Sequence, residues 1–249
     1  MQIIPLPEGV FTVDRSKIFQ PFIIGKDVLQ ERPVGSLLVE VQPFLVITES
    51  DYILLDTGLG FKKNGLLQIH ANLERHGISA EKITKVLLSH LHKDHAGGIC
   101  FHDAFGNLQP SFPFATYYVQ QKELNYASEK SASSYLPETV TFLNAYEKVK
   151  RLDERGNIDG YIEYSLSGGH SPFHQVFQIK EKAEIIFYGG DEAPQLQQMK
   201  HKVIAKYDYN GRVSMRLRQQ WWQQGNLENW AFLFYHDVKN PVFQNKAKK

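Results

Sequence analysis

Four side chains that can bind a metal ion lie within six consecutive positions, in the segment His90-Leu91-His92-Lys93-Asp94-His95. An apolar run precedes this segment and a glycine pair follows it, so it is predicted to form the loop after a buried strand. Alternate side chains of an extended segment point to the same side, so His90 and His92 can face one cavity. A helix that begins at Asp94 would turn Asp94 and His95 toward a neighbouring point. The spacing therefore suits two adjacent metal ions better than one.

Three further residues whose side chains can bind metals follow predicted strands later in the chain. His170 comes after Gly168-Gly169, Asp191 after Gly189-Gly190, and His236 after an apolar run. Glycine pairs let the backbone approach a site closely. Any one of these histidines, taken singly, is more commonly structural than a ligand. Four strand ends that all deliver metal-binding side chains nevertheless indicate one shared site, with seven ligands for two ions that share a carboxylate.

Asp56 is a further candidate, because it follows a short apolar run and opens the segment Asp56-Thr57-Gly58-Leu59-Gly60. The glycines allow a sharp turn where a strand leaves a sheet. Taken by itself, an aspartate at such a place is more commonly the cap of a turn than a functional residue.

In combination, these motifs resemble those of the metallo-β-lactamase superfamily. They occur in the family's order: Asp-Thr-Gly at 56–58, His-x-His-x-Asp-His at 90–95, then His170, Asp191 and His236. The resemblance extends over nearly the whole chain, from about residue 9 to residue 240. It implies an α/β protein with a four-layer αββα sandwich and a metal site at one edge, and residues 1–249 are interpreted as a single domain.

The resemblance also implies a role for each residue. Three histidines would bind the first metal: His90, His92 and His170. One aspartate and two histidines would bind the second: Asp94, His95 and His236. Asp191 would bridge the metals, Asp56 would steady the loops that carry the ligands, and His174 matches a histidine outside the direct ligands. Two divalent ions are expected, zinc first, with iron or manganese as alternatives.

Such a site is expected to hydrolyse its substrate. Two ions about 3.5–4 Å apart can hold a hydroxide between them, because metal binding lowers the pKa of water toward about 7. The hydroxide attacks an electrophilic carbonyl or phosphoryl centre, and Asp94 or Asp191 is the candidate that shuttles a proton. His174 is a weaker candidate for an assisting role.

The lactonase-type branch of the family, which hydrolyses N-acyl-homoserine lactones, is the expected relative, because no appended domain is visible in the sequence. One feature departs from that branch. Its members carry a tyrosine three residues after the bridging aspartate, where it can hydrogen-bond the substrate carbonyl, whereas this chain has Pro194. Tyr188, Tyr207 and Tyr235 are the candidates to replace it in space.

Other reactions are compatible with the same ligands. Phosphodiester or organophosphate hydrolysis and β-lactam hydrolysis use comparable metal pairs. A di-iron oxidase or an oxygen-sensing protein is the alternative of another class, and a purely structural metal site is disfavoured because it would close its coordination with four ligands.

The elements that must position these residues are predicted from hydrophobic periodicity and turn residues. Strands are predicted over 9–14, 36–48, 52–55, 85–89, 161–166, 176–179, 184–188 and 231–235. Helices are predicted over 66–75, 120–128, 137–148 and 212–223. The phenylalanine-rich segment 100–118 is interpreted either as a wall of the metal pocket or as core.

The overall composition excludes several classes of partner. A net charge of +1 gives no field for nucleic acid, and no stretch approaches the length of a membrane helix. The single cysteine and the lack of a signal-peptide pattern at the start of the chain favour a cytoplasmic protein that acts on a small molecule. The irregular, apolar segment 16–35 is predicted to form a functional loop or a homodimer contact.

Overall fold

The computed structural model describes residues 1–130 and 134–245. The strands are β1 (Gln2–Pro5), β2 (Gly9–Val13), β3 (Gln20–Pro21), β4 (Leu37–Val41), β5 (Phe44–Ile47), β6 (Tyr52–Leu55), β7 (Lys62–Lys63), β8 (Leu66–Leu67), β9 (Lys85–Leu87), β10 (Cys100–His102), β11 (Leu108–Pro110), β12 (Thr116–Gln120), β13 (Val149–Leu152), β14 (Arg155–Ile158), β15 (Ile162–Leu166), β16 (Gln175–Glu181), β17 (Glu184–Tyr188), β18 (Ala231–Leu233) and β19 (Val242–Gln244). The α-helices are α1 (Gln68–Glu74), α2 (Lys93–Ala96), α3 (Gln121–Glu129), α4 (Pro137–Ala145), α5 (Leu196–Lys200) and α6 (Gly211–Leu227). Short 3₁₀ turns occupy Leu29–Glu31, Ala80–Lys82 and Gly190–Glu192.

Two six-stranded sheets form the centre of the molecule. The first has the order β1-β5-β6-β9-β12-β13 and the second the order β14-β15-β16-β17-β18-β19. A smaller sheet, β3-β2-β4, lies beside them. Each large sheet mixes parallel and antiparallel pairs, as is common in sheets that carry helices on one face.

Three hydrophobic cores separate four layers. Alternate residues of a strand point to opposite faces, so Leu54 packs with helices α1, α3 and α4, while Leu55 packs between the two sheets. The inner face of the second sheet contributes Phe177 to that central core. Its outer face contributes Phe187, which packs with tryptophans of α6. The layers are helix, sheet, sheet and helix, which confirms the predicted αββα sandwich.

Most predicted elements are present, with differences at their ends. The run 36–48 was predicted as one strand but forms β4 and β5, which belong to different sheets. Pro43 lies between them, and a proline cannot donate a ladder hydrogen bond. The predicted helix 66–75 begins only at Gln68, and the predicted helix 137–148 ends at Ala145 and is followed by β13. Five strands of the two large sheets lie outside the predicted strands: β1, β12, β13, β14 and β19.

The segment 16–36 crosses the surface with little regular structure. Several of its apolar side chains are exposed: Ile18, Ile23, Ile24, Val28, Leu29 and Val34. A homodimer contact at this segment stays a prediction. None of the helices in the described residues combines the length and the apolar character that crossing a bilayer requires.

Candidate metal centre

The predicted site residues meet at one edge of the sandwich because of the strand directions. Strands β6 and β9 are parallel neighbours, so Asp56 and His90 follow them at the same edge. Strands β17 and β18 are also parallel, which brings Asp191 next to His236. His170 precedes β16, which runs antiparallel to β17, and therefore arrives at that edge as well. The common edge explains how residues from four distant segments converge.

Close backbone crossing holds the Asp56 segment against the histidine loop. A Cβ atom on Gly60, whose φ is +72°, would lie 2.2 Å from the carbonyl oxygen of Gly97. The amide of Thr57 donates to the carbonyl of His95 over 2.7 Å. Only glycine tolerates both the backbone angle and the close approach at position 60.

The seven residues form two groups. Within each group, the ligand atoms lie within 4.8 Å of one another. One group contains His90, His92, His170 and Asp191, and the other contains Asp94, His95 and His236. All are buried except His92, which is half-buried. The sequence predicted this set without omission, and the role of its members as ligands stays a prediction.

The carboxylate of Asp191 lies between the two groups. Its Oδ2 is 3.2 Å from Nε2 of His170. Its Oδ1 is 3.1 Å from Nε2 of His95 and 2.9 Å from Nε2 of His236. One oxygen thus faces each group, which is the arrangement a bridging carboxylate requires.

Hydrogen bonds on the outer side of the rings orient the imidazoles. Nδ1 of His95 donates to Asp56 Oδ2 over 2.7 Å, and Nδ1 of His236 donates to the backbone carbonyl of Glu40 over 2.6 Å. Nδ1 of His170 is 3.2 Å from Asp208 Oδ1. A neutral imidazole that donates through Nδ1 presents a lone pair at Nε2, so each of these rings, in its neutral form, can direct a lone pair at the centre, as metal ligands do.

The donor set fits divalent cations. Among the described residues, Nε2 of His90, Nε2 of His95 and Oδ1 of Asp191 are buried without a hydrogen-bond partner. Buried polar atoms are costly unless they are satisfied. Imidazole nitrogens and carboxylate oxygens are zinc ligands, and they also suit iron and manganese. A cation in each of the two groups would satisfy these atoms.

Charges within the centre shift its pKa values in opposite directions. Burial and the neighbouring imidazoles lower the pKa of His90 well below its usual range. Burial alone would lower the pKa of His95, but the carboxylates of Asp191 and Asp94 raise it well above that range. Burial would raise the pKa of Asp191, but His236, His95 and His170 lower it strongly. The centre therefore favours an ionised Asp191, the form that binds a metal.

Asp56 lies behind the centre, as the sequence predicted. Besides His95, its carboxylate accepts from the amide of Ser89 over 2.7 Å and from the hydroxyl of Tyr188 over 2.5 Å. Its φ of +55° is a left-handed conformation, which aspartate tolerates better than most residues. Asp56 thus ties the histidine loop to the second sheet.

His174 also lies outside the ligand groups. Its Nε2 accepts from the amide of Asp191 over 3.2 Å, and its Nδ1 is 3.0 Å from the hydroxyl of Ser167. Burial lowers the pKa of His174 to about 3. A neutral ring in this position can hold the backbone of Asp191, which fits the predicted supporting role.

Three buried acidic residues next to the centre were not anticipated from the sequence. Glu123 accepts from the amide of Leu91, and Glu192 accepts from the amide of His170 over 3.1 Å. Asp208 lies between His170 and Arg218. Glu123 and Asp208 lie in polar stretches without a local pattern that distinguishes them from surface acids, whereas the position of Glu192, directly after Asp191, was the one available signal.

The structure separates the three tyrosines proposed to replace the residue at position 194. The hydroxyls of Tyr188 and Tyr235 donate inward, to Asp56 and to the carbonyl of Asp94, and both side chains are fully buried. Tyr207 is 42% exposed, and its ring lies 6.0 Å from that of His170. Pro194 is buried, and its carbonyl accepts from the amide of His236. Only Tyr207, of the three, lies beside the centre with access to solvent.

The phenylalanine-rich segment does not form a wall of the centre. Phe112 is fully buried in the core beneath the first sheet, and Phe101 packs against His70. Phe105 and Phe114 are exposed. The segment was interpreted either as a wall of the metal pocket or as core. Phe112 is core, whereas Phe105 and Phe114 are neither core nor a pocket wall.

These features agree with the comparison to known families. Residues 38–198, well over half of the chain, match the Metallo-beta-lactamase superfamily. The chain belongs to this superfamily. The class predicted from the sequence, a metal-dependent hydrolase, is thereby confirmed, and the bond that it hydrolyses is a separate question.

Solved structures share the whole fold. A probable metal-dependent hydrolase from Staphylococcus aureus is 22% identical, with a TM-score of 0.78 over 98% of this chain and 91% of its own. AidC, a dizinc quorum-quenching lactonase, is 20% identical, with a TM-score of 0.74 over 99% and 90%. An N-acyl homoserine lactone hydrolase is 20% identical, with a TM-score of 0.69 over 95% and 93%.

At these identities the similarity establishes the fold alone. A search of curated protein sequences gives no match. The substrate must therefore be inferred from the site.

Proposed function

We propose that the chain is a dinuclear metal-dependent hydrolase that opens an ester or lactone bond. The observation that carries the proposal is the position of Asp191, whose two oxygens face two separate groups of ligands. A single metal would leave one of these groups, and one oxygen of this carboxylate, without a partner. Buried ligand atoms without partners are unfavourable.

In this proposal each group holds one divalent ion, with zinc as the first candidate. His90, His92 and His170 would hold the first ion, and Asp94, His95 and His236 would hold the second. Asp191 would be shared by both. When bound, a metal pair lowers the pKa of a water molecule, polarises the oxygen under attack and stabilises a leaving alkoxide.

The two aspartates of the centre are the candidates for proton transfer. Asp94 lies at the margin of its group, with Oδ2 3.5 Å from Nε2 of His236 and 3.7 Å from Nε2 of His95. The corresponding distances of Asp191 are shorter. Asp94 is therefore the less constrained carboxylate, and we assign it the proton shuttle ahead of Asp191.

Tyr207 is the proposed donor to the substrate carbonyl. Its oxygen accepts a hydrogen bond from Nε2 of Gln198 over 2.9 Å. A phenol that accepts from an amide keeps its own proton free to donate. Burial raises the pKa of Tyr207 to about 12, so the proton stays in place at neutral pH. The hydroxyl can thus stabilise negative charge that develops on a carbonyl oxygen near His170.

An ester or lactone is favoured over a phosphate ester by this single neutral donor. A carbonyl develops charge on one oxygen, which one hydroxyl and one metal can stabilise. A transferring phosphoryl group spreads its charge over three oxygens and is usually surrounded by several cationic groups. The similar structures named as lactonases agree with this choice.

The proposal is tested with protein loaded separately with zinc, manganese and iron. Each form is assayed on lactones, aryl esters, phosphodiesters and β-lactams, and its metal content is measured. We expect two metals per chain and turnover highest on esters or lactones. Higher turnover of phosphodiesters or β-lactams would replace the substrate class. An iron form with a visible charge-transfer band and no hydrolysis would favour the oxidase or oxygen-sensing alternative.

A further inference from the structure

Glu123 is a fully buried carboxyl group near the start of α3. It accepts hydrogen bonds from the three loops that contain Leu91, Tyr135 and Ser171. Its Oε1 accepts from the amide of Leu91 over 3.2 Å and from the hydroxyl of Tyr135 over 3.3 Å. Its Oε2 accepts from the hydroxyl of Ser171 over 3.2 Å. These three hydrogen bonds offset the cost of burying the carboxyl group.

Every partner of Glu123 adjoins a residue of the first ligand group. Leu91 lies between His90 and His92, and Ser171 follows His170. The ring of Tyr135 lies 5.1 Å from the ring of His92. Glu123 thus connects the two loops that must hold three histidines around one point.

The second ligand group has a different support. The hydroxyl of Tyr235 donates to the backbone carbonyl of Asp94 over 2.6 Å. Its ring stacks on His95 at a centroid distance of 4.0 Å, and it directly precedes His236. Tyr235 therefore contacts or adjoins all three members of this group, and it shares no hydrogen-bond partner with Glu123.

We propose that Glu123 is a positioning residue for the first metal site and Tyr235 for the second, so that either site can be weakened alone. This inference rests on the proposed dinuclear centre. Residues that orient metal ligands typically change metal affinity by about 10–100-fold when they are replaced. Both supports contact the segment 90–95, but at different places: Glu123 binds the amide of Leu91 before helix α2, whereas Tyr235 contacts Asp94 and His95 within α2. Each replacement should therefore change the affinity of one metal only.

The test compares Glu123→Gln and Tyr235→Phe with wild-type protein and with Glu129→Gln, an exposed glutamate of the same helix. Glutamine keeps one acceptor oxygen but turns an NH₂ group toward a donor, and phenylalanine removes only the hydroxyl. Each protein is loaded with cobalt(II) and titrated with a chelator, and the absorption spectrum shows which site empties.

We expect Glu123→Gln to release one metal about 10–100-fold more readily, with the spectrum of the Asp94-containing site retained. Tyr235→Phe should weaken the other metal, and Glu129→Gln should titrate like wild type. Ser171→Ala breaks one of the loop contacts of Glu123 and should weaken the same metal as Glu123→Gln, by a smaller factor. It keeps the comparison available if Glu123→Gln does not fold.

Loss of both metals in parallel from either variant, or loss of the same metal from both, would overturn the inference. So would wild-type titration of both Glu123→Gln and Ser171→Ala. Wild-type protein that binds two metals without hydrolysing esters would refute the proposed substrate class and leave this metal comparison intact. Wild-type protein that binds fewer than two metals would overturn the dinuclear centre and the separate supports together.

Discussion

Replacing Tyr207 by phenylalanine isolates the contribution of one hydroxyl to catalysis. The ring, which lies 6.0 Å from the ring of His170, is retained, and the hydroxyl held by Gln198 is lost. If this hydroxyl donates to the carbonyl oxygen as charge develops, its removal destabilises the transition state more than the bound substrate. The expected result is a lower kcat with a nearly unchanged KM.

The magnitude follows from the exposure of the side chain. Removal of a donor in a water-excluded oxyanion site costs about 10²–10³ in kcat. Tyr207 is 42% exposed, so water can partly replace its hydroxyl, and the expected loss falls below that range. A loss of about 2 kcal/mol corresponds to a reduction of about 30-fold.

The assay is steady-state hydrolysis of the best ester or lactone, with metal content measured on the same samples. Tyr209→Phe is the matched control, because it removes a phenol from the same segment at a residue that is 69% exposed. A Tyr207→Phe enzyme whose kcat stays within about twofold of wild type, at equal metal content, would refute the assignment. A parallel loss of metal would show instead that the tyrosine supports the ligands.

Three other predictions concern the bridging carboxylate, the loop crossing and stability. Asp191→Ala should abolish hydrolysis and reduce metal content below one per chain; two retained metals would contradict the bridging role. Gly60→Ala should destabilise the protein more than Gly106→Ala, by about 1–3 kcal/mol in urea unfolding, because both have a positive φ but only Gly60 would place a Cβ against another backbone. Equal effects would show that the crossing is not tightly packed. Lys85→Met should cost about 1–3 kcal/mol at pH 7, because it removes the ammonium that lies 2.5 Å from Asp51. Burial would raise the pKa of Asp51, but bonds from Lys85 and Tyr161 lower it, so the cost should be complete above about pH 5 and shrink as the pH falls below about 4. A cost that does not change with pH would contradict the ion pair.

The candidate site was more predictable than its surroundings. The cluster at 90–95 and the residues His170, Asp191 and His236 were identified because each follows or precedes an apolar strand, a pattern that is local in sequence. Parallel neighbouring strands end at the same edge of a sheet, so the convergence of these residues follows once the strands are known.

Element boundaries followed the sequence less closely. The separation of β4 from β5 depends on which neighbours each strand finds, and Pro43 by itself did not show that the two strands would join different sheets. Strand β13 forms because it can pair with β12, a contact that its own residues do not reveal. Long-range pairing decided these cases against local propensity.

The sequence by itself therefore determined the candidate ligand set, because that set depends on side-chain type and spacing, and its resemblance to a known superfamily implied the layered architecture. Only the tertiary structure decided which oxygen of Asp191 faces which group, and that Glu123 joins the loops around the first. It also decided the fate of the three candidate tyrosines. The hydroxyls of Tyr188 and Tyr235 donate into the protein interior, whereas the hydroxyl of Tyr207 accepts from Gln198. These facts depend on distances between segments that are remote in sequence. Hydrogen bonds between such segments become strong only when packing has removed the segments from water.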